Sequence, residues 1–192
     1  MDYRLFRIIN GLAGHDRLLD GFMAAFAKVS PAVFAAVLLA LWLTRRRRLQ
    51  EAGIVAGVAA LAALGTGQLI GMMFPRLRPY WVHPVDLLIT ATHDTSFPSD
   101  HATLSFAIGA AVACYSPRAG AGVLGLAFFL AIDRVFVGAH YPTDVLGGAV
   151  LGAAFGVALA TVAGTAAVRA LLDRLFAALA RLPLGADARN RA

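Results

Sequence analysis

From Gly21 to Thr44 the chain runs 24 residues with a single charge, Lys28, and then meets four arginines in a row, Arg45 to Arg48. An α-helix rises about 1.5 Å per residue and needs roughly 20 apolar residues to cross a bilayer. Further apolar runs follow at Ala52 to Phe74, His101 to Tyr115, Ala121 to Val137 and Val145 to Val168. In hydrocarbon every backbone polar group must be paired within the protein, so such runs dictate helices. The predicted fold class is therefore all-α: a polytopic membrane helical bundle of about five spans, forming one membrane-embedded domain over residues 1–192. Composition agrees, since 59% of residues are hydrophobic and only 15% are charged, too apolar for an ordinary soluble domain.

What lies between the runs sets the topology. Met1 to Leu12 is too short to span and too mixed for a secretory signal. Leu5, Phe6, Ile8, Ile9 and Leu12 can share one helical face, which fits an N-terminal interfacial helix or, equally, an amphipathic cap packed on the bundle. Lys28 is expected to snorkel to the interface. Arg45 to Arg48 mark the cytoplasmic side. Counting spans onward places 75–100 and 138–144 outside, and Arg118 and the Arg-rich tail inside. The net charge of +6 sits between apolar runs, so it reads as topology and not as a nucleic-acid surface. The one cysteine, Cys114, permits no internal disulfide. Gly53/Gly57, Gly67/Gly71 and Gly148/Gly152/Gly156 are spaced for close helix approach, within the bundle in preference to a homodimer face; the oligomeric state is not readable.

Three polar clusters fall on the predicted outer face. "PRLRPYW" holds Arg76, Arg78 and Pro79. "FPSDHA" holds Ser99, Asp100 and His101. "DRVFVGAHYPTD" holds Asp133, Arg134, His140 and Asp144. Ionisable groups near lipid are costly, and convergence of several marks a site. If Asp144 opens the fifth span, its carboxylate can reach one imidazole nitrogen of His140 and fix the tautomer, leaving the other as nucleophile or base. Arg134 offers a planar fork suited to phosphate. Ser99 adds a hydroxyl where a helix begins, a place that favours anions. His101 can give a proton to a leaving oxygen. Together these describe phosphoryl transfer.

Taken singly, each residue has a plainer reading. One His or Arg here is most simply an interfacial anchor, and Ser99 or Asp100 an N-cap. His83 and His93 have no spaced partner, and His15, in the amphipathic start, reads as interfacial. Trp42, Tyr80 and Trp81 fit a belt of interfacial aromatics, and Asp86 and Asp94 solvated loop charges. A metal site built on Asp94, Asp100, Asp133 and Asp144 is disfavoured because arginines are interleaved among them and would repel a cation. Neither a metal nor another cofactor is expected.

The three clusters resemble, in order, the tripartite signature of the type 2 phosphatidic acid phosphatase superfamily: Lys-x6-Arg-Pro, Pro-Ser-Gly-His and Ser-Arg-x5-His-x3-Asp. Arg78-Pro79 matches the end of the first. Pro98 to His101 matches the second with Asp100 in place of Gly. Arg134, His140 and Asp144 match the third at its full spacing. The resemblance implies that His140 attacks phosphorus, Asp144 orients it, His101 protonates the leaving group, and Arg78, Arg134 and Ser99 hold phosphate oxygens, without metal. Three positions depart from the signature. Gly71 stands where its lysine falls, with Arg76 a candidate replacement; Asp133 replaces the Ser; and Asp100 needs a partner, Arg76 or the helix N-terminus. "SFPSDHA" is similar to bacterial undecaprenyl-diphosphate phosphatases of the bacitracin-resistance type. That implies a single phosphatase domain in a bacterial inner (cell) membrane, its site facing the periplasm or exterior. The expected substrate is undecaprenyl diphosphate, with Arg76 and Arg78 clamping its second phosphate. The alternatives are phosphatidylglycerol phosphate, phosphatidic acid or lipid A as substrate, or a non-catalytic lipid-binding or transport protein.

Overall fold

The computed structural model describes residues 2–180. They form eight helices in chain order, and the described residues contain no strand: α1 (Asp2–Asn10), α2 (Arg17–Leu43), α3 (Arg47–Met73), the short α4 (Pro79–Val82), α5 (Asp100–Tyr115), α6 (Pro117–Phe136), α7 (Pro142–Ala163) and α8 (Ala166–Ala180). Four of these, α2, α3, α6 and α7, are long and apolar enough to cross a membrane. The fifth apolar run is α5. Its 16 residues reach about 24 Å, short of the ~30 Å hydrocarbon core. The last expected span stops sooner than its apolar run, because α7 ends at Ala163 and α8 begins separately at Ala166. The expected polar tail beyond 180 lies outside the described residues.

The ends of these helices are written locally. Asp16 caps α2, its Oδ1 accepting from the N–H groups of Leu18 (2.8 Å) and Leu19 (3.2 Å). Ser116 accepts from the Ala119 N–H at the start of α6, where Pro117 fills the first position, a slot that loses no hydrogen bond to proline.

Two compact units are present, one running up to Ala160 and the other holding the described residues from Thr161. Within the first, α5 is central, packed on α3 and α6, while α2 packs on α3 and α6 and α1 on α6. The core is built of small residues. Ala56, Ala59, Ala60 and Ala63 of α3 meet Ala107, Ile108 and Ala111 of α5, closed by Phe34 and Leu130. Small side chains let helix backbones approach closely, which substitutes for a hydrophobic driving force in lipid. The same holds for α7 on α5. A Cβ at Gly148, Gly152 or Gly156 would fall 2.6, 2.1 or 2.5 Å from the carbonyl oxygens of Ser99, Thr103 and Ala107. This contact fixes the start of α7, with Asp144, against the start of α5, with Ser99 and His101. The N-terminal helix packs on the bundle through Phe6, which is buried, and through the buried Asn10 amide, which donates to the carbonyls of Phe136 and Asp86, both at 2.8 Å, while Leu5, Ile8 and Leu12 stay exposed.

Candidate active site

His140 stands in the turn between α6 and α7. Gly138 makes that turn with φ +82°, a conformation open to glycine. The N–H groups of Ala139 and His140 then fold back onto the Arg134 carbonyl, at 3.1 and 3.2 Å. Arg134 in the last turn of α6 and His140 just beyond it are thereby held together, which accounts for their spacing of six. The next spacing also has a local cause. Asp144 lies in the first turn of α7, and its Oδ2 accepts from the Tyr141 N–H at 2.9 Å, the reciprocal half of a capping box.

The imidazole of His140 is buried and bonded at both nitrogens. Nδ1 lies 2.8 Å from the Ser96 carbonyl oxygen. A carbonyl only accepts, so Nδ1 carries the proton. Nε2 lies 3.0 Å from Arg78 Nη1; guanidinium only donates, so Nε2 presents its lone pair. Burial, and then the neighbouring Arg78 and Arg134 guanidiniums, hold the imidazole well below its ordinary pKa. It is neutral at physiological pH, with its unprotonated nitrogen facing a cation.

Arg78 is aimed by Asp94. The carboxylate takes a bidentate pair from Nε (3.0 Å) and Nη2 (2.9 Å), leaving Nη1 for His140 and the Ala139 carbonyl. Burial pushes the Asp94 pKa up, but the bonds from Thr92 and Arg78 outweigh it and leave the carboxyl below its usual range. Asp94 is the exposed loop charge that the sequence suggests, and it is also the partner that aims Arg78.

Two expected contacts are placed differently. Asp144 does not meet His140 directly. Its Oδ2 accepts from Ser96 Oγ at 2.5 Å and its Oδ1 from Arg76 Nη1 at 2.6 Å. Ser96 joins the two, its hydroxyl on Asp144 and its carbonyl on His140. Arg76 is turned toward two carboxylates. Nη1 binds Thr143 Oγ1 and Asp144, Nη2 binds Asp2 Oδ2 at 2.6 Å, and the guanidinium lies over the Tyr141 ring. Two carboxylates claim this cation, and it does not pair with Asp100. Asp100 is held instead by Gln68 Nε2 at 2.8 Å. Gly71 is buried, and a Cβ there would press at 3.2 Å on Phe97 O and on Thr95, so a lysine at this position requires the 95–97 segment to move.

Ser99 occupies the N-cap position of α5, yet its hydroxyl makes no cap bond. Its N–H donates to the Asp144 carbonyl at 3.0 Å, locking the two helix starts together. Among the described residues Ser99 Oγ, Arg134 Nε and both Asp133 carboxylate oxygens are buried with no protein partner; the first two leave donors free for a ligand. His101 borders two cavities. One, of about 340 Å³, is largely apolar and includes Pro31, Phe34, Leu64, Leu104 and Leu130. The other, of about 750 Å³, has Arg134 and Lys28 in its lining. His83 and His93 stack on Tyr3 and Trp81.

The sequence reading passed over Ser96 and Gln68, and gave Asp94 no part in aiming Arg78. Ser96 acts through a backbone carbonyl, which has no sequence signature. Asp94 carried one signal, its place in the same outer segment as Arg78.

The PAP2 superfamily matches the chain over residues 51–167, the stretch that carries all three clusters. The chain belongs to this family. Undecaprenyl-diphosphatase BcrC of Bacillus subtilis is 34% identical over 151 residues, 79% of this chain and 78% of that protein. The crystal structure of Aquifex aeolicus LpxE superposes with a TM-score of 0.67 at 28% identity, covering 82% of this chain and 93% of that one. The PAP2-type phosphatidylglycerolphosphate phosphatase of Bacillus subtilis shares the fold at a TM-score of 0.60 and 18% identity, over 83% and 84% of the two chains. The protein is a multi-pass membrane lipid phosphatase.

Proposed function

We propose that this phosphatase hydrolyses undecaprenyl diphosphate to undecaprenyl phosphate and inorganic phosphate through a phosphohistidine on His140. The observation that carries the reading is the state of that imidazole: neutral, proton pinned on Nδ1 by the Ser96 carbonyl, Nε2 facing Arg78 at 3.0 Å. Nε2 attacks the terminal phosphorus while Arg78, Arg134 and the Ser99 hydroxyl take up its oxygens. An N–P bond forms, the bond from phosphorus to the bridging oxygen breaks, and His101 gives that oxygen a proton. Water then attacks the phosphohistidine, yielding a proton to His101; the N–P bond breaks and inorganic phosphate leaves. The positive charge in the site comes from arginines, so no step needs a metal. Asp144, Ser96 and Arg76 position the nucleophile. Residues 1–192 act as one phosphatase domain in the bacterial inner membrane, with the site facing outward.

A lipid diphosphate is favoured because it expels a stabilised phosphate, whereas a monoester must expel an alkoxide. The name of the Bacillus subtilis relative, at 34% identity, supports the same choice. Phosphate release from purified undecaprenyl diphosphate, phosphatidic acid and phosphatidylglycerol phosphate in excess chelator tests it. Preference for the diphosphate is expected. Preference for phosphatidylglycerol phosphate would overturn the substrate, and a strict need for a divalent ion would overturn the scheme.

A further inference from the structure

We propose that the larger cavity beside His101 is a second phosphate subsite, in which Lys28 neutralises the phosphate of the leaving group. This rests on the diphosphate reading above and deepens it.

Lys28 lies 11 residues past the first residue of α2, about 16 Å along the axis, and is the one charged residue of that helix after Asp20. A cation at that depth is costly unless it serves a polar site. The sequence suggests that it snorkels to the interface. In the structure it lines the cavity of about 750 Å³ together with Arg134, His101 and the 87–90 segment. Ala24, Ala25 and Ala27 of the same helix also face this space, and their small side chains leave it open. Among the described residues no carboxylate lines the cavity, and the charged ones that do are Lys28 and Arg134. Two cations with no anion among the lining residues define an anion site. A second observation points the same way: Arg134, which lies between this cavity and the transferred phosphoryl group, is buried and its Nε lacks any protein partner among the described residues.

Position relative to the chemistry assigns the anion. The transferring phosphoryl group lies at His140, against Arg78. His101 serves the oxygen that leaves, so whatever is bonded to that oxygen lies on the His101 side. Two cavities open there. The apolar one suits a hydrocarbon chain, and the one holding Lys28 suits a charge. A lipid diphosphate presents both beyond the bridging oxygen: a phosphate and a prenyl chain. A monoester presents only the chain. Lys28 therefore separates the two substrate classes, the role that the sequence assigned to Arg76.

The test uses a pair of inhibitors with one tail, farnesyl methylenediphosphonate and farnesylphosphonate, neither of which can lose its lipid. Each is assayed against the purified full-length protein with its best substrate. Lys28→Met should raise the inhibition constant of the diphosphonate about tenfold or more, the loss of one charge-assisted hydrogen bond, and leave that of the monophosphonate within about twofold. Lys28→Arg should restore most of the difference by keeping the charge. Equal weakening of both inhibitors, as from a misfolded or generally damaged site, would overturn the subsite, and so would no weakening of either. The ratio is independent of which lipid is cleaved fastest. Wild-type preference for a monoester would sink the proposed substrate alone, while an unchanged ratio would sink the Lys28 subsite alone.

Discussion

Replacing Arg76 by methionine should slow the enzyme on every lipid phosphate to a similar degree. The guanidinium spans Asp2 and Asp144 at 2.6 Å each, and Asp144 is fully buried. Without it, Asp144 keeps only the Ser96 hydroxyl and the Tyr141 N–H. Removing one partner of a buried ion pair costs about 3–5 kcal/mol. Arg76 keeps 34% of its side chain exposed, so water screens the loss and about 1–2 kcal/mol is the better figure. The strain reaches His140 through Ser96, whose hydroxyl and carbonyl hold the two residues. A nucleophile displaced by a fraction of an ångström loses near-attack geometry, and a fall of about tenfold in kcat follows. KM should change little, because the Arg76 guanidinium is committed to Asp2 and Asp144. Initial rates on undecaprenyl diphosphate and phosphatidic acid, with kcat and KM resolved for each, are the assay. Selective loss of diphosphate turnover with a raised KM would refute the reasoning and return Arg76 to the phosphates.

Three further outcomes are expected. His140 must be neutral to attack, and burial with Arg78 and Arg134 holds its pKa down. The acid limb of kcat/KM should therefore lie below the ordinary histidine value of about 6.5, and Arg134→Met, which removes a repelling charge, should move that limb up; a downward or absent shift contradicts the electrostatics. Gly152→Val should destabilise the protein by about 3 kcal/mol or more and abolish activity, since its Cβ meets the Thr103 carbonyl at 2.1 Å; a fully active variant with unchanged melting temperature would deny the close approach of α7 to α5. With the exposed Cys114 replaced, His93→Cys should react with an impermeant thiol reagent in intact cells and Arg47→Cys should not; the reverse pattern inverts the topology.

The reach of the sequence has a physical boundary, visible in pairs of neighbours. His140 and Asp144 were legible because their spacing is set by local structure, a glycine turn behind and a helix cap ahead. How they connect was not. The link runs through Ser96, 44 residues from His140 and 48 from Asp144, and half of it is a backbone carbonyl that any residue could supply. Arg76 and Arg78 stand two apart, which suggests a joint clamp. The irregular backbone between α3 and α4 sends them apart instead, one to Asp2 and Asp144, the other to Asp94 and His140. Nothing local could announce this, because their partners come from α1, α7 and the loop before α5. The long spans were legible from apolar length, and so was α5, although its 16 residues fall short of a full crossing. Its shortness has a counterpart in packing. A helix seated on three glycines of α7 and on the alanines of α3 is held by backbone contact along most of its length. Ser99 and His101 thus sit on one of the most tightly packed elements of the fold, and a phosphoryl-transfer site gains from that rigidity.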